Sequence, residues 1–266
     1  MAGNPYQSIE KGTPGTIGWR VHYFAELSST QDHAAQLARD ETPQGTVVVA
    51  EEQTKGRGRM GRKWHSPAGL NLYMTIVLRP SIPIAEVPRL SLVAGVGVAD
   101  AVSQFAPGMV ALKWPNDLWL RGRKAGGLIA EAVTDRNNRL NCVLLGIGIN
   151  VNIKASDIPE ELHSKATSIR IETGTPCNRL TLAAALFDRL QIRYKEMEHR
   201  GFGAMREAWE SYSALTGRTV TVIDGSSRIR GRVCGIDSDG ALVLKTASGR
   251  SRIVSGEVSI EGAYEP

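Results

Sequence analysis

Hydrophobic and polar residues follow two different periods along this chain, and the periods separate predicted strands from predicted helices. In the first 150 residues, β-branched stretches predict strands at 19–25, 45–51, 71–78, 109–113, 117–120, 127–133 and 140–149. Apolar residues spaced three or four apart predict helices that begin near Ser29 and that cover 86–105 and 181–200. The stretch 154–179 is polar and irregular, so we expect a flexible segment there.

The last 50 residues or so have a different pattern from the rest. Short β-branched stretches at 218–223, 230–236, 241–245 and 252–254 are separated by Asp-Gly and Ser-Gly pairs, which predicts a small β-barrel. We therefore expect three parts. They are a ragged N-terminal segment rich in Gly and Pro (1–17), a main domain (18–213) and the barrel (214–266).

The net charge is concentrated in one loop, residues 55–64, which we call the glycine–arginine loop. Lys and Arg (32) exceed Asp and Glu (27) by 5, and residues 55–63 alone hold five cations, three glycines and no acid. Charge focused in this way favours a small anionic ligand over nucleic acid. Dense like charge also predicts a loop that is mobile until an anion binds. Taken alone, the stretch is better explained as a solvated basic loop.

The remaining composition excludes several classes of protein. Cys142, Cys177 and Cys234 are far apart and form no C-x-x-C pattern, which argues against a disulfide scaffold or a zinc site. Residues 1–5 show no basic region followed by an apolar core, so we expect no signal peptide, and the most apolar run, 90–102, is too short to span a bilayer. We expect a cytoplasmic protein with no membrane association.

Common phosphate-binding and hydrolase motifs do not fit. Gly56, Gly58 and Gly61 match the dinucleotide fingerprint, but Pro67 follows where that motif requires a helix. The chain has no G-x-x-x-x-G-K-[ST], H-E-x-x-H or G-x-S-x-G sequence. Walker-type, metalloprotease and serine-hydrolase chemistry are therefore unsupported.

Other motifs could carry chemistry. Lys113, Asn116 and Asp117 flank a proline between two strands, where a cation, an amide and a carboxylate can hold a triphosphate with Mg²⁺; an Asx turn is the structural alternative. The glycines in 123–127 and 146–150 allow close approach of a ligand, but a hairpin tip and tight packing explain them equally well. For the hydroxyls and amide at 29–31, simple helix capping is the better explanation for each residue alone.

Taken in order, these motifs resemble the biotin protein ligases. The match runs unbroken from about residue 28 to 150: Ser-Ser-Thr, Gln-x-x-Gly-Arg-Gly-Arg-x-Gly-Arg-x-Trp, Lys-Trp-Pro-Asn-Asp, Lys-x-x-Gly and Gly-x-Gly-x-Asn. The resemblance implies an α+β fold with a mixed, largely antiparallel sheet flanked by helices, similar to class II aminoacyl-tRNA synthetase cores, and a C-terminal SH3-like β-barrel. Residues 18–213 would then form the domain that binds biotin and ATP.

The resemblance also implies a two-step reaction. The biotin carboxylate attacks the α-phosphorus of ATP to give biotinyl-5'-AMP and pyrophosphate, with Mg²⁺ present. A specific lysine of a biotin carboxyl carrier domain then attacks the mixed anhydride. Such chemistry requires positioning, charge neutralisation and exclusion of water rather than a protein nucleophile.

Site residues follow from the resemblance position by position. Catalytic roles fall on Lys124 and Arg59, and a metal contact falls on Asp117. The biotin-binding residues would be Ser29, Thr30, Gln31, Gln53, Arg57, Gly58, Arg59, Lys124, Gly126 and Gly127. The nucleotide-binding residues would be Arg59, Arg62, Trp64, Lys113, Asn116, Asp117 and Asn150.

Two departures from the family pattern limit what carries over. Gln31 stands where relatives usually have asparagine, so its contact with biotin is less certain. Only about 18 residues precede the first predicted strand, too few for the winged-helix domain of larger members, so we expect no specific DNA binding. A homodimer is left open. The alternatives are a lipoate or octanoate ligase, although the typical Arg-Arg-x-x-Gly-Gly-Gly stretch is absent, and a non-catalytic nucleotide- or RNA-binding module.

Overall fold

The computed structural model describes residues 4–9, 17–39 and 42–260, and its largest feature is a seven-stranded mixed sheet. The strands are β1 (Arg20–Leu27), β2 (Thr46–Gln53), β3 (Leu72–Leu78), β4 (Val110–Lys113), β5 (Asp117–Leu120), β6 (Arg123–Thr134) and β7 (Leu140–Ile149). Their order is β1-β2-β3-β7-β6-β5-β4, with β1 and β2 parallel and all other neighbours antiparallel. This topology confirms the predicted fold class.

Helices cover both faces of this sheet. They are α1 (Thr30–Arg39), α2 (Val87–Val102), α3 (Ile169–Thr173), α4 (Arg179–Arg200) and α5 (Phe202–Ser211). α1 packs on β2, β3 and β7, whereas α2 lies on the opposite face over β4–β7 and packs on α4. Val47 and Val49 of β2 enter the larger core and Val48 enters the core under α1. Because both faces are covered, the strand is apolar at successive positions.

A five-stranded antiparallel sheet completes the described part of the chain and confirms the predicted SH3-like barrel. Its strands are β8 (Thr219–Asp224), β9 (Ser227–Ile236), β10 (Leu242–Thr246), β11 (Gly249–Ile253) and β12 (Glu257–Ile260), in the order β11-β10-β9-β8-β12. The Trp114 indole N–H donates to the Gly240 carbonyl (2.9 Å), and the Ile236 N–H donates to the Glu210 carboxylate (2.9 Å). One hydrophobic core includes residues of the barrel and of the main sheet, so the division at residue 214 stays a prediction.

Four segments differ from their predictions. β6 begins at Arg123 rather than 127, so the stretch 123–127 is strand and not a hairpin tip, because β5 pairs along this stretch and β7 pairs with it from Gly126 onward. Helix α5 was not predicted, and α3 lies inside the segment expected to be irregular. In the segment predicted to be ragged, Tyr6 is buried against the core; residues 1–3 and 10–16 lie outside the described ranges. No helix in the described ranges is long and apolar enough to cross a membrane.

Candidate active site

The glycine–arginine loop folds back on itself between β2 and β3. The Gly58 N–H donates to the Arg62 carbonyl (2.7 Å), and the Trp64 N–H donates to the Gly56 carbonyl (2.9 Å). A Cβ atom on Gly56 would lie 2.5 Å from the carbonyl oxygen of Trp64, so glycine is required where the two arms of the loop meet. The loop is therefore a closed hairpin whose arginine side chains project outward to other elements.

Each of the three arginines in this loop contacts a different part of the molecule. The ion pairs and hydrogen bonds are Arg57 with Asp32 (2.7 Å) and Glu131 (2.9 Å), Arg59 with Asn116 (2.9 Å), and Arg62 with Glu257 of β12. Burial lowers the pKa of Arg59, although the carboxylate of Asp117 opposes that shift. The repulsion that predicted a mobile loop is thus offset by acceptors drawn from α1, the turn between β4 and β5, β6 and the barrel.

Lys124 is at the centre of the predicted site. Its Nζ lies 2.6 Å from the Asp117 carboxylate and 5.5 Å from the centre of the Trp64 ring. Gly148 makes room for this indole, since a Cβ there would lie 2.8 Å from Trp64 Nε1. The Trp64 indole N–H is buried and has no acceptor among the described residues. An unpaired buried donor beside an ammonium group suits an anionic or carbonyl ligand.

A network of neutral polar side chains forms a floor next to the loop. Thr30 Oγ1 donates to Gln53 Oε1 (3.0 Å), and Gln53 Nε2 donates to Ser66 Oγ (3.1 Å). Thr75 Oγ1 lies 2.9 Å from Thr30 Oγ1 and 3.0 Å from Gln31 Oε1. These contacts go beyond the helix capping that the sequence favoured at 29–31. We call Thr30, Gln31, Gln53, Ser66 and Thr75 the polar floor.

Ser29 behaves more as the sequence suggested. Its side chain is buried, and its Oγ accepts from the Asp32 N–H at 3.5 Å, a long contact at the start of α1. A role in ligand binding for Ser29 stays a prediction.

The residues predicted on the nucleotide side occupy three different settings. Burial lowers the pKa of Lys113; the Asp117 carboxylate opposes that shift, and the cations Lys124 and Arg62 add to it. The Asn116 amide nitrogen donates to the Leu128 carbonyl (2.6 Å) while its oxygen accepts from Arg59. The Asn150 amide donates to the Thr167 carbonyl (3.0 Å) and so holds the segment before α3. A contact between Asn150 and a nucleotide therefore stays a prediction.

Gly126 and Gly127 follow Lys124 in β6, where β5 and β7 flank the strand. A Cβ on Gly126 would lie 2.9 Å from the Gly148 carbonyl, and one on Gly127 would lie 3.5 Å from Lys124 Nζ. An open cavity of about 430 Å³ lies beside this region, lined by residues 57–62 of the loop with Ile129 and Glu131 of β6. The loop and the middle of β6 thus bound this cavity, and Lys124, Gly126 and Gly127 lie earlier along the same strand.

The described residues hold no group of three or more His, Cys, Asp or Glu side chains arranged to bind a metal ion. Asp117, the predicted metal contact, contributes one carboxylate, which pairs with Lys124. Mg²⁺ at phosphate-binding sites is commonly held by one or two carboxylates together with substrate phosphates. The donor set therefore fits a metal that arrives with a nucleotide, and it does not form a protein-only cage.

Sequence reasoning missed several side chains that the structure brings into this region, among them Ser66 and Asp32. Glu131 contacts both Arg57 and Gln31, Thr75 lies in the polar floor, and Glu257 of the barrel contacts the loop. Only Glu131 had a sequence signal, which was its position: it follows the Lys-x-x-Gly motif along the same strand and lines the cavity. Thr75 and Glu257 had no signal, because strand register decides what they contact.

Family comparisons agree with this geometry. Residues 23–150 match the model of the Biotin/lipoate A/B protein ligase family, and residues 215–260 match that of the biotin protein ligase C-terminal domain. The chain is 36% identical over 244 residues to the bifunctional ligase/repressor BirA of Bacillus subtilis, covering 92% of this chain and 75% of that protein. It is 34% identical over 245 residues to the biotin–[acetyl-CoA-carboxylase] ligase of Paracoccus denitrificans, covering 90% of this chain and 100% of the relative.

A solved structure extends the similarity to three dimensions. The biotin protein ligase of Aquifex aeolicus, in complex with biotin and ATP, superposes with a TM-score of 0.79 at 31% identity, covering 91% of this chain and 98% of the other. Sequence, both family models and fold agree over the sheet and the barrel. This chain belongs to the biotin protein ligase family.

Proposed function

We propose that this protein joins biotin to ATP, forming biotinyl-5'-AMP, and transfers the biotinyl group to a lysine of a biotin carboxyl carrier domain. The observation that carries the proposal is the meeting of Lys124, Asp117 and Trp64, because it places a cation, a carboxylate and an unpaired buried donor beside glycine backbone. The complex of the Aquifex relative with biotin and ATP supports the two substrates. The name of the Paracoccus relative supports a carboxylase as the acceptor.

In the first step, a biotin carboxylate oxygen bonds to the α-phosphorus of ATP and the bond to pyrophosphate breaks. Lys124 and Arg59 neutralise the negative charge that builds on the phosphoryl oxygens in the transition state. Trp64 and Arg62 would cover the adenylate and exclude water, which would otherwise hydrolyse the mixed anhydride. For Arg62 to do so, it must leave Glu257.

In the second step, the amine of the acceptor lysine bonds to the carbonyl carbon of the adenylate, AMP leaves and the amine loses a proton. Asn116 and Asp117 would face the nucleotide, with Asp117 as the protein ligand of Mg²⁺, and Lys113 would contact the phosphates. Bound phosphate would raise the pKa of Lys113 towards its ordinary range, opposing the effect of burial. When bound with ATP, Mg²⁺ supplies further neutralisation of phosphate charge.

The polar floor and the glycines would hold biotin. Thr30, Gln31 and Gln53 are themselves uncharged and carry both donors and acceptors, which suits the ureido ring of biotin better than a second anion. Ser29, Gly58, Gly126 and Gly127 would complete the pocket, because glycine leaves the backbone open to close contact. Arg57 is held by two carboxylates, so we propose that it contributes through its backbone rather than its guanidinium.

Exchange of labelled pyrophosphate into ATP tests the proposal, with biotin, lipoate or no acid added to the protein with Mg²⁺. We expect exchange that depends on biotin. Exchange with lipoate alone would instead assign the chain to lipoate activation, and no exchange with either acid in a folded sample would contradict acid activation. Adding a purified carrier domain then tests transfer, which we expect to label one lysine.

A further inference from the structure

The side-chain amide of Gln31 is fully engaged in hydrogen bonds. The side chain is buried in the first turn of α1; its Nε2 donates to Glu131 Oε2 (3.0 Å) and to the Leu144 carbonyl (3.2 Å). Its Oε1 lies 3.0 Å from Thr75 Oγ1. A carboxylate and a carbonyl only accept hydrogen bonds, so they fix which end of the amide faces them. Gln31 Oε1 must therefore face Thr75.

The orientation of this amide determines the direction of hydrogen bonds through the polar floor. Thr75 has one hydroxyl proton and two nearby acceptors, Gln31 Oε1 and Thr30 Oγ1. With Gln31 in the observed orientation, Oε1 can take that proton. If the amide were reversed, its nitrogen would donate to Thr75, whose proton would then point to Thr30. The donors and acceptors presented to a ligand would change although no atom of the pocket lining was removed.

The second carboxylate oxygen of Glu131 contacts the glycine–arginine loop rather than Gln31. Oε1 accepts from Arg57 of the glycine–arginine loop (2.9 Å), and the same guanidinium reaches Asp32 (2.7 Å). Glu131 also lines the cavity beside the loop. One carboxylate therefore joins the polar floor to the loop, whereas Asp32 contacts only the loop arginine within this arrangement.

Gln31 also fills a space that glycine provides. A Cβ on Gly146 of β7 would lie 2.6 Å from Gln31 Oε1, so the amide rests directly on the strand backbone. The Gln31 side chain can thus reach Glu131 on β6 and Leu144 on β7 at once. This packing makes the Gln31–Glu131 pair a single unit of the pocket.

We propose that Glu131 is a positioning residue for biotin binding, an inference that rests on the proposed function. One of its oxygens sets the amide orientation of Gln31, and thereby the donor–acceptor pattern of the polar floor. The other oxygen holds the loop through Arg57. Glu131 need not touch biotin for this role.

Glu131→Gln tests the inference, with Asp32→Asn as the matched control. A glutamine at 131 faces either Arg57 or Gln31 with its amino group, so one of those two donors loses its acceptor. Both variants remove one charged contact to Arg57, but only Glu131→Gln alters Gln31. We expect Glu131→Gln to raise the KM for biotin about tenfold in pyrophosphate exchange, with the KM for ATP within about twofold. Asp32→Asn should change the KM for biotin by less than about threefold.

The route through Gln31 is tested by placing both changes in a Gln31→Met background. Methionine keeps the length of the side chain but has no amide to orient. There, Glu131→Gln should have no larger effect than Asp32→Asn. Equal effects of the two changes in the wild-type background, or an undiminished effect of Glu131→Gln in the Gln31→Met background, would overturn the inference. Wild-type protein without biotin-dependent exchange would contradict the proposed function instead, so the two failures are distinguishable.

Discussion

The molecule has two clusters of cations, and they arise in different ways. Those of the glycine–arginine loop are contiguous in the sequence. On the barrel, Arg232, Lys245 and Arg250 are distant in the sequence but adjacent in space, since Lys245 is the register partner of both arginines. Arg228 and Arg230 lie on the same exposed face of β9 as Arg232. We call these five residues the basic face of the barrel.

The partners of the two clusters differ as well. The loop arginines meet acceptors from several elements, and the loop closes over the region of Lys124. In the barrel, register places cations directly opposite cations, an arrangement that costs stability in a sheet. The loop arginines are thus held by acceptors from several other elements, whereas on the basic face the Arg232 guanidinium donates to the backbone carbonyl of Gly217 (2.9 Å). The sequence analysis placed all excess charge in the loop and so missed the basic face.

Removing Lys124 should have the largest effect, because its ammonium is the cation nearest Asp117 and Trp64. We expect Lys124→Ala to slow adenylate formation by about 100-fold or more, the scale of losing one preorganised electrostatic contact. Single-turnover measurements at saturating biotin and ATP provide the check. Lys245→Thr, on the basic face, serves as the control and should keep the wild-type rate. Equal rates for Lys124→Ala and wild type would show that the Lys124 charge has no role in adenylate formation.

Gly148→Ala should disturb the loop without touching any charge. The new Cβ would lie 2.8 Å from Trp64 Nε1, so the indole beside Lys124 must move. We expect a loss of about 1–3 kcal/mol in the free energy of unfolding and about a tenfold fall in the exchange rate. Gly203→Ala is the control: it lies in α5 with no atom within 4 Å of the new Cβ. It should stabilise by up to about 1 kcal/mol with unchanged exchange. Normal activity in Gly148→Ala would show that the position of Trp64 is not critical.

Periodicity predicted most of the fold because burial acts on local pattern. β5 and β7 begin and end where the sequence placed them, and α1, α2 and α4 lie within two residues or so of their expected starts. The two exceptions, the start of β6 and helix α5, have different causes: paired glycines in the first and a short helix in the second. β6 was predicted four residues late, since paired glycines disfavour strands, yet pairing with β5 along 123–127 and with β7 from Gly126 keeps this stretch in the sheet. α5 spans only 10 residues and directly follows α4, so its periodicity did not stand out.

The candidate site was predictable as far as its residues belong to motifs. Lys124, Asp117 and Asn116 were singled out from spacing, but their grouping with Trp64 came from the family resemblance. The acceptors Glu131 and Glu257 could not be found in this way, because they reach the loop across strand pairing and across the contact with the barrel. Register and tertiary packing, which no short-range pattern encodes, place them there.

Lys113→Met should separate ligand binding from stability. Burial and two neighbouring cations lower the pKa of Lys113, so its charge is a cost to the ligand-free protein. We expect the variant to be more stable by about 1 kcal/mol at pH 7 and to have a higher KM for ATP. The unfolded chain binds this proton more tightly than the folded chain, so wild-type stability should rise with pH between the two pKa values. The advantage of Lys113→Met should therefore shrink in alkaline solution, which urea unfolding at several pH values measures. A destabilised variant would contradict this account.

The smallest expected effect concerns the basic face itself. Lys245→Thr removes the central cation between Arg232 and Arg250, and threonine is well suited to a strand. We expect a gain of about 0.2–1 kcal/mol in the free energy of unfolding at low salt, with exchange activity unchanged. The gain should fall at about 1 M salt, where screening weakens repulsion between exposed charges. In an Arg250→Thr background, Lys245→Thr should give a smaller gain in the free energy of unfolding, because one of the two cations that repel Lys245 is already absent. A gain in stability that depends neither on salt nor on the residue at position 250 would come from strand propensity alone. The two clusters would then not differ in how their charges interact.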